Sequence, residues 1–173
     1  MTTTSTDDVF SAVCASPVGP LTILATDHGV RAVLWPDDDP ARVTVPEAPD
    51  RPDHPVLSAA VVQLGEYFAG SRREFDVPLD PVGTDFQRAA WTALRTIPFG
   101  ETVSYGEQAE RMGDRRKARA VGAANGRNPI SIIVPCHRVV GSNGSLTGFA
   151  GGVDTKAWLL RHESELAGTT LPF

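Results

Sequence analysis

The hydrophobic pattern of this chain turns helical after Pro78-Leu79-Asp80-Pro81-Val82-Gly83, and that break limits what can form on either side. Upstream, apolar residues come in short β-like runs at 10–13, 21–25 and 30–35. Turn signals at 17–20 and at Asp27-His28-Gly29 separate them, which predicts an antiparallel meander. Residues 36–55 hold six prolines and five aspartates and read as a loop, with room for a short strand at Val43-Thr44-Val45. A helix is expected over 55–69, with Leu57, Val61, Leu64 and Phe68 as its apolar stripe and Gly70 as its stop. Residues 75–79 offer one more strand.

Beyond the break the period is helical. Thr84 and Gln87 fit a capping box opening a helix over 85–96, which Pro98 and Gly100 close. Ser104 and Glu107 offer a second box for a helix over 105–112. Gly113 ends it, and Asp114 can cap the next helix, over 115–125. Two helices joined so tightly through glycine read as a helix-turn-helix. Residues 139–146, around Asn143-Gly144, look like a wing hairpin, and a last helix spans 154–165. The expected fold is therefore α/β. A small antiparallel sheet with one helix occupies 9–80, and a mainly helical winged helix-turn-helix unit occupies 84–168.

With 173 residues and 41% apolar content the chain can bury a core, and no run of about 18 apolar residues exists to cross a membrane. The start, Met1 to Asp8, lacks the basic and apolar regions of a signal peptide and reads as a disordered tail. Two cysteines, Cys14 and Cys136, are too few for a disulfide framework, and a reactive thiol suits a reducing cytoplasm. The net charge of −5 conceals an uneven distribution. Residues 1–83 carry 5 Lys/Arg against 13 Asp/Glu, whereas 84–173 carry 11 against 8. Within 111–127, six basic residues face Asp114 alone. Local charge decides whether a surface attracts phosphate, although a basic cluster by itself is as compatible with a solvated helix face.

Cys136 lies in the run Ile133-Val134-Pro135-Cys136-His137-Arg138-Val139-Val140. A free thiol has a pKa of about 8.5; cationic neighbours can bring it to roughly 3.5–7.5, and burial acts the other way. Such a cysteine is either inert core or a nucleophile whose partners overcome burial, and the His-Arg pair favours the nucleophile. His137 is the natural general base, because imidazole exchanges its proton near neutral pH. Neighbours in an extended turn point apart, so transfer through a bridging water is expected. Glu163, taken alone, reads as an exposed carboxylate at a helix end.

The stretch from Asn128-Pro129 through the cysteine run to Gly148-Phe149-Ala150-Gly151-Gly152, together with Thr84-Asp85-Phe86-Gln87, Ser104-Tyr105-Gly106 and Arg119-Ala120-Val121-Gly122, resembles the O6-alkylguanine-DNA alkyltransferases, the methylated-DNA–protein-cysteine methyltransferases. The resemblance runs from Ser16-Pro17-Val18-Gly19-Pro20-Leu21 to Glu163, and the ordered series is highly specific. It implies a ribonuclease H-like first unit and, in the second, irreversible transfer of the alkyl group of O6-alkylguanine, and of O4-alkylthymine, to the Cys136 thiolate. By the same resemblance Glu163 orients His137, and Asn128 ties the helix-turn-helix to the cysteine segment. Tyr105 contacts the guanine and donates a proton as the alkyl group leaves. The backbone of Val139 and Ala150, with Phe149 as an aromatic wall, holds the base.

The implied partner is double-stranded DNA containing O6-alkylguanine, bound by a protein that is monomeric in solution, with cooperative assembly on DNA left open. A base inside a duplex cannot reach a buried thiol, so its nucleotide must be extruded at a cost of a few kcal/mol. Arg119 matches the family's arginine finger, which fills the space left by the flipped base from a helix in the minor groove. Arg115, Arg116, Lys117, Ala118, Gly122, Ala123 and Arg127 surround it as DNA-binding candidates. Ala118, Ala120, Gly122, Ala123 and Ala124 suggest a face without bulk for close backbone approach, although small residues alone more often mean tight internal packing.

Two positions depart from the family. Phe149 stands where Tyr is usual, and Ala150 where some members have Ser. The positions that hold zinc in some members are Thr26 and Arg31 here, so no metal is expected, and no cofactor-binding motif is present to regenerate a thioether. The additional cysteines of members fused to a regulatory domain are missing. Two rival readings are a cysteine hydrolase using Cys136, His137 and Glu163, and a non-catalytic damage sensor. The first leaves Arg119 unexplained, and the second is disfavoured by the presence of Cys136.

Overall fold

The computed structural model describes residues 8–44 and 46–173. The tail expected over the first residues therefore lies outside the described residues except for Asp8, and so does Val45 of the suggested strand; Val43 and Thr44 form no strand. Three strands, β1 (Phe10–Cys14), β2 (Leu21–Thr26) and β3 (Gly29–Leu34), pair in order as an antiparallel meander. Phe10 lies opposite Ala25, Thr22 lies opposite Leu34, and a register shift falls at Leu24/Ala25. Helix α1 (Pro55–Ala69) covers one face. His54 caps its start, and Gly70 ends it in the left-handed conformation, which glycine adopts without a Cβ penalty.

The strand expected over 75–79 is reduced to one parallel bridge between Leu79 and Val30, because in that register residues 75–78 run past the start of β3 at Gly29. Val33 N–H donates to the Pro129 carbonyl at 2.9 Å, and β3 bridges Ile130. The sheet edge is thus shared between the linker and the segment that leads to Cys136. Thr26 and Arg31 both bond Asp80, which clamps the linker to the sheet.

After the linker, α2 (Asp85–Leu94) opens with both halves of the Thr84–Gln87 capping box and ends two residues earlier than expected. Strand β4 (Val103–Ser104) leads into α3 (Tyr105–Arg111), where only the Ser104 half of the second box forms, on Glu107 N–H. Asp114 caps a 3₁₀ turn (Arg115–Lys117) that runs into α4 (Ala118–Gly126), so the third expected helix starts as a tighter turn. The wing is not a two-stranded hairpin. Strand β5 (Val139–Val140) pairs in parallel with β4, and the following residues close as a turn through Gly141 N–H to the Ser145 carbonyl. Helix α5 (Val153–Ala167) completes the chain. One apolar core runs through both halves, from Leu21, Ile23, Leu64 and Tyr67 to Trp91, Leu94, Val134 and Leu159.

Candidate active site

The segment before Cys136 is a tight, buried turn. Ile132 has φ 73°, a left-handed backbone that a β-branched residue adopts at a cost of about 1–3 kcal/mol. The surroundings enforce it. Asn128 Nδ2 donates to the Val134 carbonyl at 2.8 Å, its Oδ1 accepts from Ile130 N–H at 3.0 Å, and Val134 N–H donates to the Ile130 carbonyl at 2.9 Å. From the N-terminal half, Trp35 Nε1–H donates to Ser131 Oγ at 3.1 Å. Pro135 then starts a 3₁₀ turn, Cys136–Arg138, whose three residues are all buried.

Within that turn neighbouring side chains diverge, as their spacing requires. Cys136 lines a narrow recess with Tyr105, Phe149 and Ala150, and with Arg42 and Ser131, which were not anticipated. Phe149 packs edge-on against Trp35, ring centroids 5.4 Å apart. The Tyr105 hydroxyl lies 3.3 Å from Thr147 Oγ1. Val139 does not line the recess; it is buried in the short β5 ladder. Burial pushes the Cys136 thiol up, while the Asn128 side chain and the charges of Lys156 and Arg42 oppose that.

His137 points the other way and is fully buried. Its Nε2 lies 2.7 Å from Glu163 Oε2 on α5. Glu163 also accepts from Arg138 Nε (2.8 Å) and Nη2 (3.1 Å) and from the Tyr67 hydroxyl (2.6 Å). Burial alone would push the Glu163 carboxyl up, but the His137 ring and the Arg138 guanidinium hold it well below the usual carboxylate range. The carboxylate is therefore the acceptor and Nε2–H the donor. Burial pushes His137 down despite Glu163. Because Arg138 already neutralises Glu163, a proton on His137 would add uncompensated buried charge. The ring is neutral at rest, and Nδ1 has no hydrogen-bond partner among the described residues. No hydrogen bond joins His137 to Cys136 among the described residues.

Tyr67, Arg138, Lys156 and Arg42 escaped the sequence reading. Arg138 was visible beside His137 but had no assigned partner. Lys156 is almost wholly buried on α5, with Nζ 6.0 Å from the centres of both the Tyr105 and Phe149 rings and burial pushing its ammonium down. Its sequence context carried no signal. Arg42 forks onto Asp38 and donates to the Asn128 carbonyl at 2.5 Å from within a loop.

On α4 the expected small-residue face divides. Ala124 turns inward with Val121 and Asn125 and accepts from Trp91 Nε1 at 2.9 Å, because residues three and four apart share the buried side of a helix. Ala120 and Ala123 are exposed beside Arg119, and Ala118 and Gly122 are half-buried. Arg119 is exposed and makes no hydrogen bond or ion pair among the described residues. Arg115 pairs with Glu110, and Arg116 with Asp114. Lys117 Nζ lies 5.8 Å from the centre of the Phe86 ring. Arg127 spends one guanidinium nitrogen on the carbonyls of Ala41 and Arg42, which fastens the loop to the end of α4.

Comparison with known proteins gives a consistent result. Residues 9–81 match the family described as 6-O-methylguanine DNA methyltransferase, ribonuclease-like domain, and residues 85–165 match 6-O-methylguanine DNA methyltransferase, DNA binding domain. A methylated-DNA–protein-cysteine methyltransferase of Mycolicibacterium paratuberculosis is 50% identical over 150 residues, covering 86% of this chain and 88% of that one. The crystal structure of Mycobacterium tuberculosis O6-methylguanine methyltransferase matches with a TM-score of 0.80 at 48% identity, over 91% of this chain and 93% of that one. The Mycobacterium tuberculosis protein OGT in complex with DNA matches with a TM-score of 0.82 at 46% identity, over 92% and 94%.

Proposed function

The chain belongs to the 6-O-methylguanine DNA methyltransferase family, and we propose that it repairs DNA by taking the alkyl group of O6-alkylguanine onto its own Cys136. The observation that carries this reading is the divergence of Cys136 and His137. The thiol faces a recess walled by Tyr105 and Phe149, while the imidazole hangs from Glu163 by Nε2 and keeps Nδ1 open. The thiol proton passes through a water to Nδ1, and Glu163 stabilises the imidazolium that results. The thiolate attacks the alkyl carbon, an S–C bond forms, and the C–O6 bond breaks with its electron pair leaving on the base. The Tyr105 hydroxyl supplies the proton that returns the base to neutral guanine, and the proton held by the His137 imidazolium is released through water to restore the phenol and the neutral ring. The product is a thioether with no leaving group and no second acceptor, so each molecule acts once.

In the same reading, residues 84–168 form the DNA-binding and acceptor unit and residues 9–80 support it. Helix α4 enters the minor groove, Arg119 occupies the gap left by the extruded nucleotide, and the other basic groups of 115–127 meet phosphates. The reducing cytoplasm is where such a thiol persists.

Exposure to a duplex carrying O6-methylguanine should raise the intact mass by one methyl group, mapped to Cys136. Cys136→Ser should abolish the gain, and Cys14→Ser should leave it. Repeated turnover, or modification at Cys14, would overturn the assignment and favour a hydrolase-like use of the same side chains.

A further inference from the structure

Glu163 is held from both halves of the chain. Its Oε2 is shared by three donors: the Tyr67 hydroxyl at 2.6 Å, His137 Nε2 at 2.7 Å and Arg138 Nη2 at 3.1 Å. Tyr67 belongs to α1, in the half that carries none of the reacting groups. It is completely buried, and its orientation is fixed. The ring packs edge-on to Phe99 and His162, and its own carbonyl lies 2.8 Å from His162 Nε2. Filling this space requires only a ring, since Phe would pack as well; the hydroxyl adds a polar group that burial penalises unless it has a partner. Its partner is the oxygen that also holds the catalytic imidazole.

We propose that Tyr67 is a positioning residue of the alkyl-transfer relay, sharing the Glu163 oxygen with His137 and thereby setting how strongly that carboxylate holds the imidazolium formed when Cys136 gives up its proton. This rests on the assignment of Cys136 and His137 made above. The other charged groups acting on the pair are Arg138 from the 3₁₀ turn and Lys156 from α5, both of which disfavour a protonated His137, and His162 on α5 packs against the Tyr67 ring. Burial and the Glu163 charge push the Tyr67 phenol well up, so it remains a donor throughout the working range. A donor on Oε2 withdraws charge from the bond to His137. Removing that donor leaves more charge for the imidazolium and raises the pH at which His137 protonates.

The test is the pH profile of methyl transfer from an O6-methylguanine duplex, measured for the native protein, for Tyr67→Phe, and for protein carrying 3-fluorotyrosine installed only at position 67. The acid limb, where His137 becomes protonated and can no longer serve as base, should move up by roughly half a pH unit or more in Tyr67→Phe. Fluorination makes the phenol a stronger donor and should move the limb down. Opposite shifts are the signature of the shared oxygen, which a packing role would not produce. If Tyr67→Phe does not fold, the nearly isosteric fluorotyrosine protein decides by itself. A uniform loss of rate at every pH, or limbs that coincide with the native one, would overturn the proposal. A native protein that methylates Cys136 without any acid limb would overturn it through His137. Absence of methylation at Cys136 in the native protein would instead show that the reading of the site itself had failed.

Discussion

Replacing Glu163 by Gln preserves the size of the side chain and removes its charge, and the structure sets the expected cost. Arg138 is buried and directs Nε and Nη2 at this carboxylate; among the described residues its further contacts are the Ile97 carbonyl, 2.7 Å from Nη1, and the Phe99 ring, whose centre lies 5.6 Å from Cζ. Removing one member of a buried ion pair typically costs about 3–5 kcal/mol, because the remaining charge has neither partner nor water. The new amide makes matters worse. Its NH2 group enters a ring of donors formed by Tyr67, His137 and Arg138.

At about 2–4 °C per kcal/mol for a chain of this size, the melting midpoint should fall by roughly 6–20 °C. Urea titration and thermal melts of the two proteins at neutral pH measure the loss. The pH dependence gives a second check. The folded carboxyl is held far below its unfolded value of about 4.3, so its contribution is complete above that pH and is lost as pH falls. The stability gap between native protein and Glu163→Gln should therefore be steady near neutrality and narrow below about pH 4. Adding Arg138→Met to Glu163→Gln should recover part of the loss, since no buried charge remains. A loss under about 1 kcal/mol, or a gap that widens on acidification, would refute the reasoning.

Arg119→Ala should slow repair of duplex DNA much more than reaction with free O6-benzylguanine, because only the duplex requires base extrusion; an equal loss on both would assign Arg119 to the fold. Phe149→Tyr should change the transfer rate less than about threefold, under ~0.7 kcal/mol of barrier, if the ring acts as an apolar wall. Phe149→Ala should slow transfer severely, and a large gain from Phe149→Tyr in rapid-quench measurements would show that the wall is not enough. Methylation of Cys136 adds bulk to a packed site and should lower stability by about 1–3 kcal/mol, seen as a lower melting midpoint for the alkylated protein; an unchanged midpoint would contradict this.

Local signals were sufficient wherever the physics is local. The period of the apolar residues, the Thr84 cap with Gln87, and Gly70 as a helix stop each act within a few residues, and the elements formed where those signals stand. The run around Cys136 likewise points to a reactive thiol from its neighbours alone, because a thiol, an imidazole and a guanidinium in succession serve no packing purpose. The expected strand over 75–79 and the wing hairpin failed for the opposite reason. A strand exists only where a partner edge is available. In the parallel register of Leu79 on Val30, residues 75–78 run past the start of β3, and the edge of β5 was taken by β4.

What only the tertiary structure decided is which groups share a charge. Tyr67 lies 96 residues from Glu163, and Arg138 lies 25 from it, yet all three meet at one carboxylate. Lys156 reaches the Tyr105 and Phe149 rings of the recess from a helix whose sequence gave no reason to single it out. Hydrogen bonding and Coulomb attraction act through space at a few ångströms, whereas a sequence orders residues along the chain. The proposed nucleophile could therefore be read from its neighbours, but the groups packed around its proposed base became visible only once the two halves had closed on a common core.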